Sequence, residues 1–112
     1  MTQNPLIETA RQIVPNPSRG TAFVYFLHLR SGKIYVGCTI DLEQRLGDHL
    51  RGAACYSTKI DPPIELLRLE PCFDFTAARR REAQLKKWSG KKKAALVRGN
   101  LAFLKELARS RD

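Results

Sequence analysis

Two stretches rich in aromatic and branched residues, Thr21 to Arg30 (TAFVYFLHLR) and Lys33 to Thr39 (KIYVGCT), flank Ser31-Gly32. The pattern predicts a β-hairpin. Its loop length decides where two tyrosines point, because side chains alternate across a sheet. A two-residue Ser31-Gly32 loop would put Tyr25 and Tyr35 on opposite faces. A three-residue loop, Arg30-Ser31-Gly32, pairs position 25 with 37 and 27 with 35, so both tyrosines share a face. The three-residue form is expected, with Gly32 in the left-handed position of a bulged turn, which glycine adopts without steric cost.

After the hairpin, Asp41 reads as an N-cap with Gln44 three residues on, a capping box opening a helix to about Leu50 that Gly52 closes. Leu42, Leu46 and Leu50 give that helix its apolar stripe. A loop with Tyr56, Lys59 and Pro62-Pro63 leads to a third strand, Ile64 to Leu69, ended by Pro71. Asp74 or Thr76 caps the next helix, about Thr76 to Trp88, which aligns Ala78, Leu85 and Trp88 on one face. Ser89-Gly90 interrupts it. Two short helices follow, Lys91 to Val97 and, capped by Asn100, Leu101 to Ala108. The order β-β-α-β-α-α-α predicts an α+β fold, a small three-stranded antiparallel sheet flanked by helices. Residues 1–20, with three prolines around the helical candidate Leu6 to Val14, are expected to form a flexible arm ahead of one domain at 21–110.

At 112 residues the chain supports one core, and with 43% hydrophobic and 28% charged residues it is too apolar for disorder. Twenty Lys and Arg against 11 Asp and Glu give a formal charge of +9, which calls for an acidic partner. Nucleic acid fits best, since each neutralised phosphate releases counterions. No apolar run reaches the roughly 20 residues of a membrane span, and the first 20 residues lack the layout of a secretory signal, so the cytoplasm is the expected compartment. Cys38, Cys55 and Cys72 are odd in number and widely spaced; they are read as reduced thiols in or near the core, not as zinc ligands.

The segment Phe23-Val24-Tyr25, then Tyr35-Val36-Gly37, a helix with Arg45 and His49, and Glu82 on a later helix together resemble the GIY-YIG nuclease family. The likeness spans about Ala22 to Trp88. The run from Tyr35 to Gly52 is most similar to the small stand-alone bacterial YhbQ-type proteins and to the catalytic subunit of flap and Holliday-junction nucleases. The resemblance implies phosphodiester hydrolysis with one Mg²⁺ or Mn²⁺ held at Glu82, a phosphate clamp at Arg45, and a tyrosine, Tyr25 or Tyr35, assisting the attacking water. His49 is expected either to orient a tyrosine hydroxyl or to take up a proton, being titratable near neutral pH. Independently of the resemblance, Arg45 and His49 lie four residues apart and project from one helix face, at the rim of the core where they meet solvent. Glu82 sits at the margin of the packed face of its helix, although an ion pair with Lys86 at i+4 is its ordinary reading.

Tyr56 and Lys59 are candidate contacts to bases and phosphates, and Arg79, Lys86, Lys91 and Lys92 are candidate phosphate contacts. The sequence departs from the family where Phe23 replaces the first glycine of the motif's name and where Cys38 stands in place of a lysine carried by UvrC-type members. Asn100 could answer to a late asparagine of some relatives, but it reads equally well as a helix cap. The expected function is a structure-selective or weakly selective DNA endonuclease, acting on branched, flapped or nicked DNA in repair or recombination, with selectivity drawn from a protein partner or from DNA shape. The rival is a non-catalytic module binding DNA, RNA or the ribosome; a helical protein-interaction adaptor ranks last.

Overall fold

In the computed structural model, which describes residues 5–13 and 21–99, strand β1 (Ala22–Leu29) is central and antiparallel to both neighbours. β2 (Ile34–Thr39) and β3 (Pro63–Cys72) are the edges, in the order β2-β1-β3. The position of β1 follows from its composition. Seven of its eight residues are buried, because AFVYFLHL presents apolar side chains to both faces. Pro63 and Pro71 both lie in β3; an edge strand tolerates proline at its start and wherever no ladder hydrogen bond is required. The strand therefore runs past Pro71, where the sequence had suggested its end.

The hairpin takes the three-residue form. Tyr25 pairs with Gly37 and Leu27 with Tyr35. Gly32 N–H donates to Leu29 C=O and Leu29 N–H to Lys33 C=O, both at 2.9 Å, with Gly32 at φ +97°. Both tyrosines thus face the same side of the sheet.

Helices cover both faces. Phe23, Tyr25, Leu27, Leu29, Leu66 and Leu69 pack against α1 (Pro5–Ile13) and α2 (Leu42–Leu50) through Leu6, Ala10, Leu42 and Leu46. On the opposite face Ala22, Val24, Phe26 and Val36 meet Ala78 and Leu85 of α4 (Phe75–Lys86) and Leu96 of α5 (Gly90–Val97). α3 (Tyr56–Ile60) lies between α2 and β3 in the chain, within a stretch expected to be loop. Asp41, Asp74 and Ser89 cap α2, α4 and α5 by accepting from the third residue on. Only one half of the expected capping box forms, because the Asp41 N–H donates to Thr39 Oγ1 at 2.9 Å. No helix among the described residues is long and apolar enough to cross a membrane.

Two expectations change. The described part of residues 1–20 is a helix whose Leu6 and Ala10 are buried in the first core, so that part is packed onto the domain and not a loose arm. The helix expected at Leu101 to Ala108, with Asn100 as its cap, lies outside the described residues. In α2 the buried stripe runs Leu42, Leu46, His49, while Leu50 is 38% exposed. An i, i+4, i+7 stripe follows the 3.6-residue turn more closely than i, i+4, i+8. Denaturant unfolding separates these positions: Leu6→Ala should cost about 2–4 kcal/mol, and Leu50→Ala less than about 1 kcal/mol. Equal costs would mean that α1 is not part of the core.

Candidate active site

β1, β2, α2 and α4 bring the sequence candidates to the free edge of β2. Tyr25, on the central strand, has Gly37 as its cross-strand neighbour. A methyl group built on Gly37 would fall inside the Tyr25 hydroxyl and Cζ, so the phenol lies directly over the glycine and reaches across β2. The glycine is required by this close approach and not by its backbone angles. Tyr35 stands beside it, with the ring centroids 6.4 Å apart.

Beneath the two rings lies His49, 1% exposed, edge-on to both at 5.4 and 5.2 Å. Its Nε2 is 2.7 Å from the Tyr25 hydroxyl and its Nδ1 is 2.9 Å from Thr58 Oγ1. Thr58 is buried and also lies 3.4 Å from Cys55 Sγ, which is 3.6 Å from the Tyr35 hydroxyl. A continuous polar chain therefore links Tyr25, His49, Thr58, Cys55 and Tyr35. Thr58 and Cys55 escaped the sequence reading because α3 has only five residues, too few to show a periodic stripe.

Burial sets the protonation of these groups. Removal from water, aided by the neighbouring Arg45 charge, lowers the His49 pKa to about 4, so the imidazole is neutral at physiological pH. This overturns both the solvent-facing placement and the near-neutral titration expected of it. Burial also raises both phenols, with Glu82 and the neighbouring thiol acting in the same direction and Arg45 opposing. The two tyrosines are hydroxyl groups here, not phenolates. For Cys55, burial would raise the thiol, but hydrogen bonds with the Thr58 side chain and backbone and with Tyr35 outweigh it and hold it below its ordinary value.

Glu82 comes from the other layer. α4 packs on the face opposite Tyr25 and Tyr35, and its Glu82 carboxylate, 21% exposed, reaches the edge of β2. There it is close enough to Cys38 to hold that thiol protonated, after burial, and to act electrostatically on both tyrosines. Lys86 pairs with it at 3.7 Å and places its ammonium 5.6 Å from the centre of the Tyr35 ring. The ordinary i+4 ion pair therefore forms, and it forms at the site. Arg45 is half-buried, makes no ion pair among the described residues, and borders a polar cavity of about 210 Å³ lined also by Thr39, Asp41, Gln44 and Asp48.

The candidate contacts outside this centre divide. Tyr56 and Lys59 are exposed on α3, which Thr58 anchors to His49, and Arg79 and Lys91 are exposed. Lys92 is not a surface cation: it is 8% exposed, with its ammonium 4.4 Å from the Trp88 ring centre, where a cation–π contact replaces solvent. Cys38, Cys55 and Cys72 are free thiols, all partly buried.

A model of the GIY-YIG catalytic domain matches residues 21–95. A UPF0213 protein of Xanthomonas axonopodis pv. citri is 39% identical over 72 residues, covering 64% of this chain and 71% of its own length. One from Syntrophus aciditrophicus is 36% identical over 80 residues, covering 70% of this chain and 91% of its own. Another, from Staphylococcus aureus, is 30% identical over 76 residues, covering 68% and 93%. No solved structure matches the chain.

Two measurements test this geometry. Unfolding exposes an imidazole that binds a proton below about pH 6.5, whereas the folded site resists protonation down to about 4. Stability from the neutral, buried His49 is therefore whole above pH 6.5 and falls by up to about 3 kcal/mol as pH drops towards 4. Melting temperature should decline more steeply across that window in the parent protein than in His49→Gln; equal slopes would contradict the assignment. Separately, Gly37→Ala should destabilise by about 1–3 kcal/mol, although alanine suits a strand better than glycine. In a Tyr25→Ala background that cost should disappear, and its persistence would place the clash elsewhere.

Proposed function

Because the chain belongs to the GIY-YIG family, a family of nucleases, we propose that it is a metal-dependent DNA endonuclease that favours branched, flapped or nicked DNA and acts in the cytoplasm. One observation carries the reading: Tyr25, Tyr35, Arg45, His49 and Glu82, spread over 58 residues of sequence, meet at one edge of the sheet. The basic charge supplies general affinity for the phosphate backbone.

Each residue has a task suited to its surroundings. Arg45, half-buried and without an acidic partner among the described residues, presents a fork of donors matched to phosphate oxygens. His49, neutral and gripped on both nitrogens, fixes the Tyr25 hydroxyl; it is a positioning residue and not a proton acceptor at neutral pH. Tyr35 is the more open phenol and offers its oxygen to orient the attacking water. Since burial keeps both phenols protonated, they act through hydrogen bonds.

Glu82 is the residue that would hold Mg²⁺ or Mn²⁺. No group of three or more His, Cys, Asp or Glu side chains gathers among the described residues. A single carboxylate is nonetheless adequate for a hard cation that keeps most of its waters and takes further oxygens from substrate phosphate. When bound, the ion supplies Lewis-acid stabilisation of the charge developing on the phosphate. Lys86 would exchange its pairing with Glu82 for a phosphate contact.

Supercoiled plasmid and branched oligonucleotides incubated with the protein and Mg²⁺ or Mn²⁺ should be cut, and chelation should stop the reaction. Glu82→Ala should abolish cutting while retaining salt-sensitive binding, and Arg45→Ala should slow it about 10²- to 10³-fold. Binding without cleavage by the parent protein under every metal condition would instead identify a non-catalytic nucleic-acid module. Undiminished cutting by Glu82→Ala would remove the carboxylate from the mechanism.

A further inference from the structure

Beyond the edge of β2, one face of α4 continues from the proposed centre to Phe75 at the helix's N-terminal end. Phe75, Arg79, Glu82 and Lys86 recur at i, i+4, i+7 and i+11 and so form a stripe along the helix. Glu82 and Arg79 both act on the Cys38 thiol, which places this stripe beside β2. Arg79 holds its guanidinium 5.9 Å from the centre of the Phe75 ring, and Phe75 is 42% exposed. Phe73, two residues earlier, is 96% exposed. Among the described residues no packing accounts for a phenylalanine left almost wholly in water, since burial of such a ring is ordinarily worth about 1.5–3 kcal/mol.

We propose that Phe73 and Phe75, with Arg79, form a stacking platform for unpaired nucleobases next to the cleaved phosphate. The inference deepens the nuclease reading and rests on it for the direction of the strand. Charge complementarity selects the occupant. Arg79, over the Phe75 ring, and its neighbour in sequence, Arg80, are exposed, and the adjacent carboxylate, Asp74, is occupied in capping α4 at Ala77 N–H, 2.8 Å away. Aromatic faces bordered by guanidinium groups suit a polyanion with planar, weakly solvated bases: Arg79 meets a phosphate while the rings accept bases. From Glu82 back to Phe75 the helix rises about 10 Å, at 1.5 Å per residue, so a base stacked there lies within a few nucleotides of the phosphate at Glu82. Paired bases are already stacked within a duplex and have no face to offer. The platform therefore selects flaps, gaps and single strands over intact duplex.

The test is binding by the full-length protein in EDTA, so that no hydrolysis is needed. Single-stranded oligonucleotides carrying 2-aminopurine, and a blunt duplex of the same length, are titrated at several salt concentrations with the parent protein, Phe73→Ala/Phe75→Ala and Phe75→Tyr. Both phenylalanines are exposed, so the melting temperature should hold. The double substitution should weaken single-strand binding roughly tenfold and remove 2-aminopurine quenching, with duplex binding and the salt slope unchanged. Phe75→Tyr should retain both signals. An equal effect on single strand and duplex, or none on either, overturns the platform, as does loss of binding to vesicles of anionic phospholipid in place of DNA. Quenching by a parent protein that never cuts DNA would leave the platform standing and refute the nuclease reading, whereas cutting without quenching would do the reverse.

Discussion

The short hydrogen bond between the Tyr25 hydroxyl and His49 Nε2, 2.7 Å long and sealed from water, is the tie on which the arrangement of the site depends. It joins the central strand to α2, and through His49 Nδ1 and Thr58 it draws in α3. A buried imidazole without partners on both nitrogens would be costly, so its environment fixes the ring as well as the phenol above it. The same burial that makes the bond rigid removes His49 from proton exchange near neutrality. Rigidity and basicity are thus traded against each other in one residue, leaving Arg45, Tyr35 and Glu82 as the groups that face solvent.

The centre is assembled from both sides of a sheet, which is possible only at an edge. Tyr25 and Tyr35 belong to the α1/α2 layer and Glu82 to the α4/α5 layer; β2, six residues long, is the narrow partition between them. Gly37 lowers that partition further, since a side chain there would occupy the path of the Tyr25 ring. The glycine of Tyr35-Val36-Gly37 is in this light a packing requirement of a tyrosine on another strand.

Much of this was legible in the residues. The hairpin register, the caps at Asp41 and Asp74, and the marginal position of Glu82 follow from alternation, side-chain oxygen chemistry and helical periodicity, all of which are local. The environment of His49 did not follow. A histidine four residues from an arginine suggests a polar face, whereas the i, i+4, i+7 turn of α2 carries His49 inward, where Tyr25 and the Thr58 of α3 meet its two ring nitrogens. Leu50 and Lys92 departed from expectation in opposite directions: an i, i+4, i+8 row of leucines suggested that Leu50 is buried, and a lysine run suggested that Lys92 is solvated. The indole of Trp88 covers Lys92, and the turn of α2 carries Leu50 outward. In both cases the deciding geometry is local, a helical turn and an indole four residues away, but simple periodicity does not express it.

The left-handed Gly32 turn reaches further than its own three residues. Parity along β2 is counted from that tip, so lengthening or shortening it by a single position would rotate Tyr35 into the α4 layer and leave Tyr25 alone over Gly37's successor. Descendants of this chain can thus vary the spacing between the two phenols only in steps of two, unless a compensating bulge arises on the same strand. The hairpin tip behaves as an indexing device, and the chemistry several residues away inherits whether the count is odd or even.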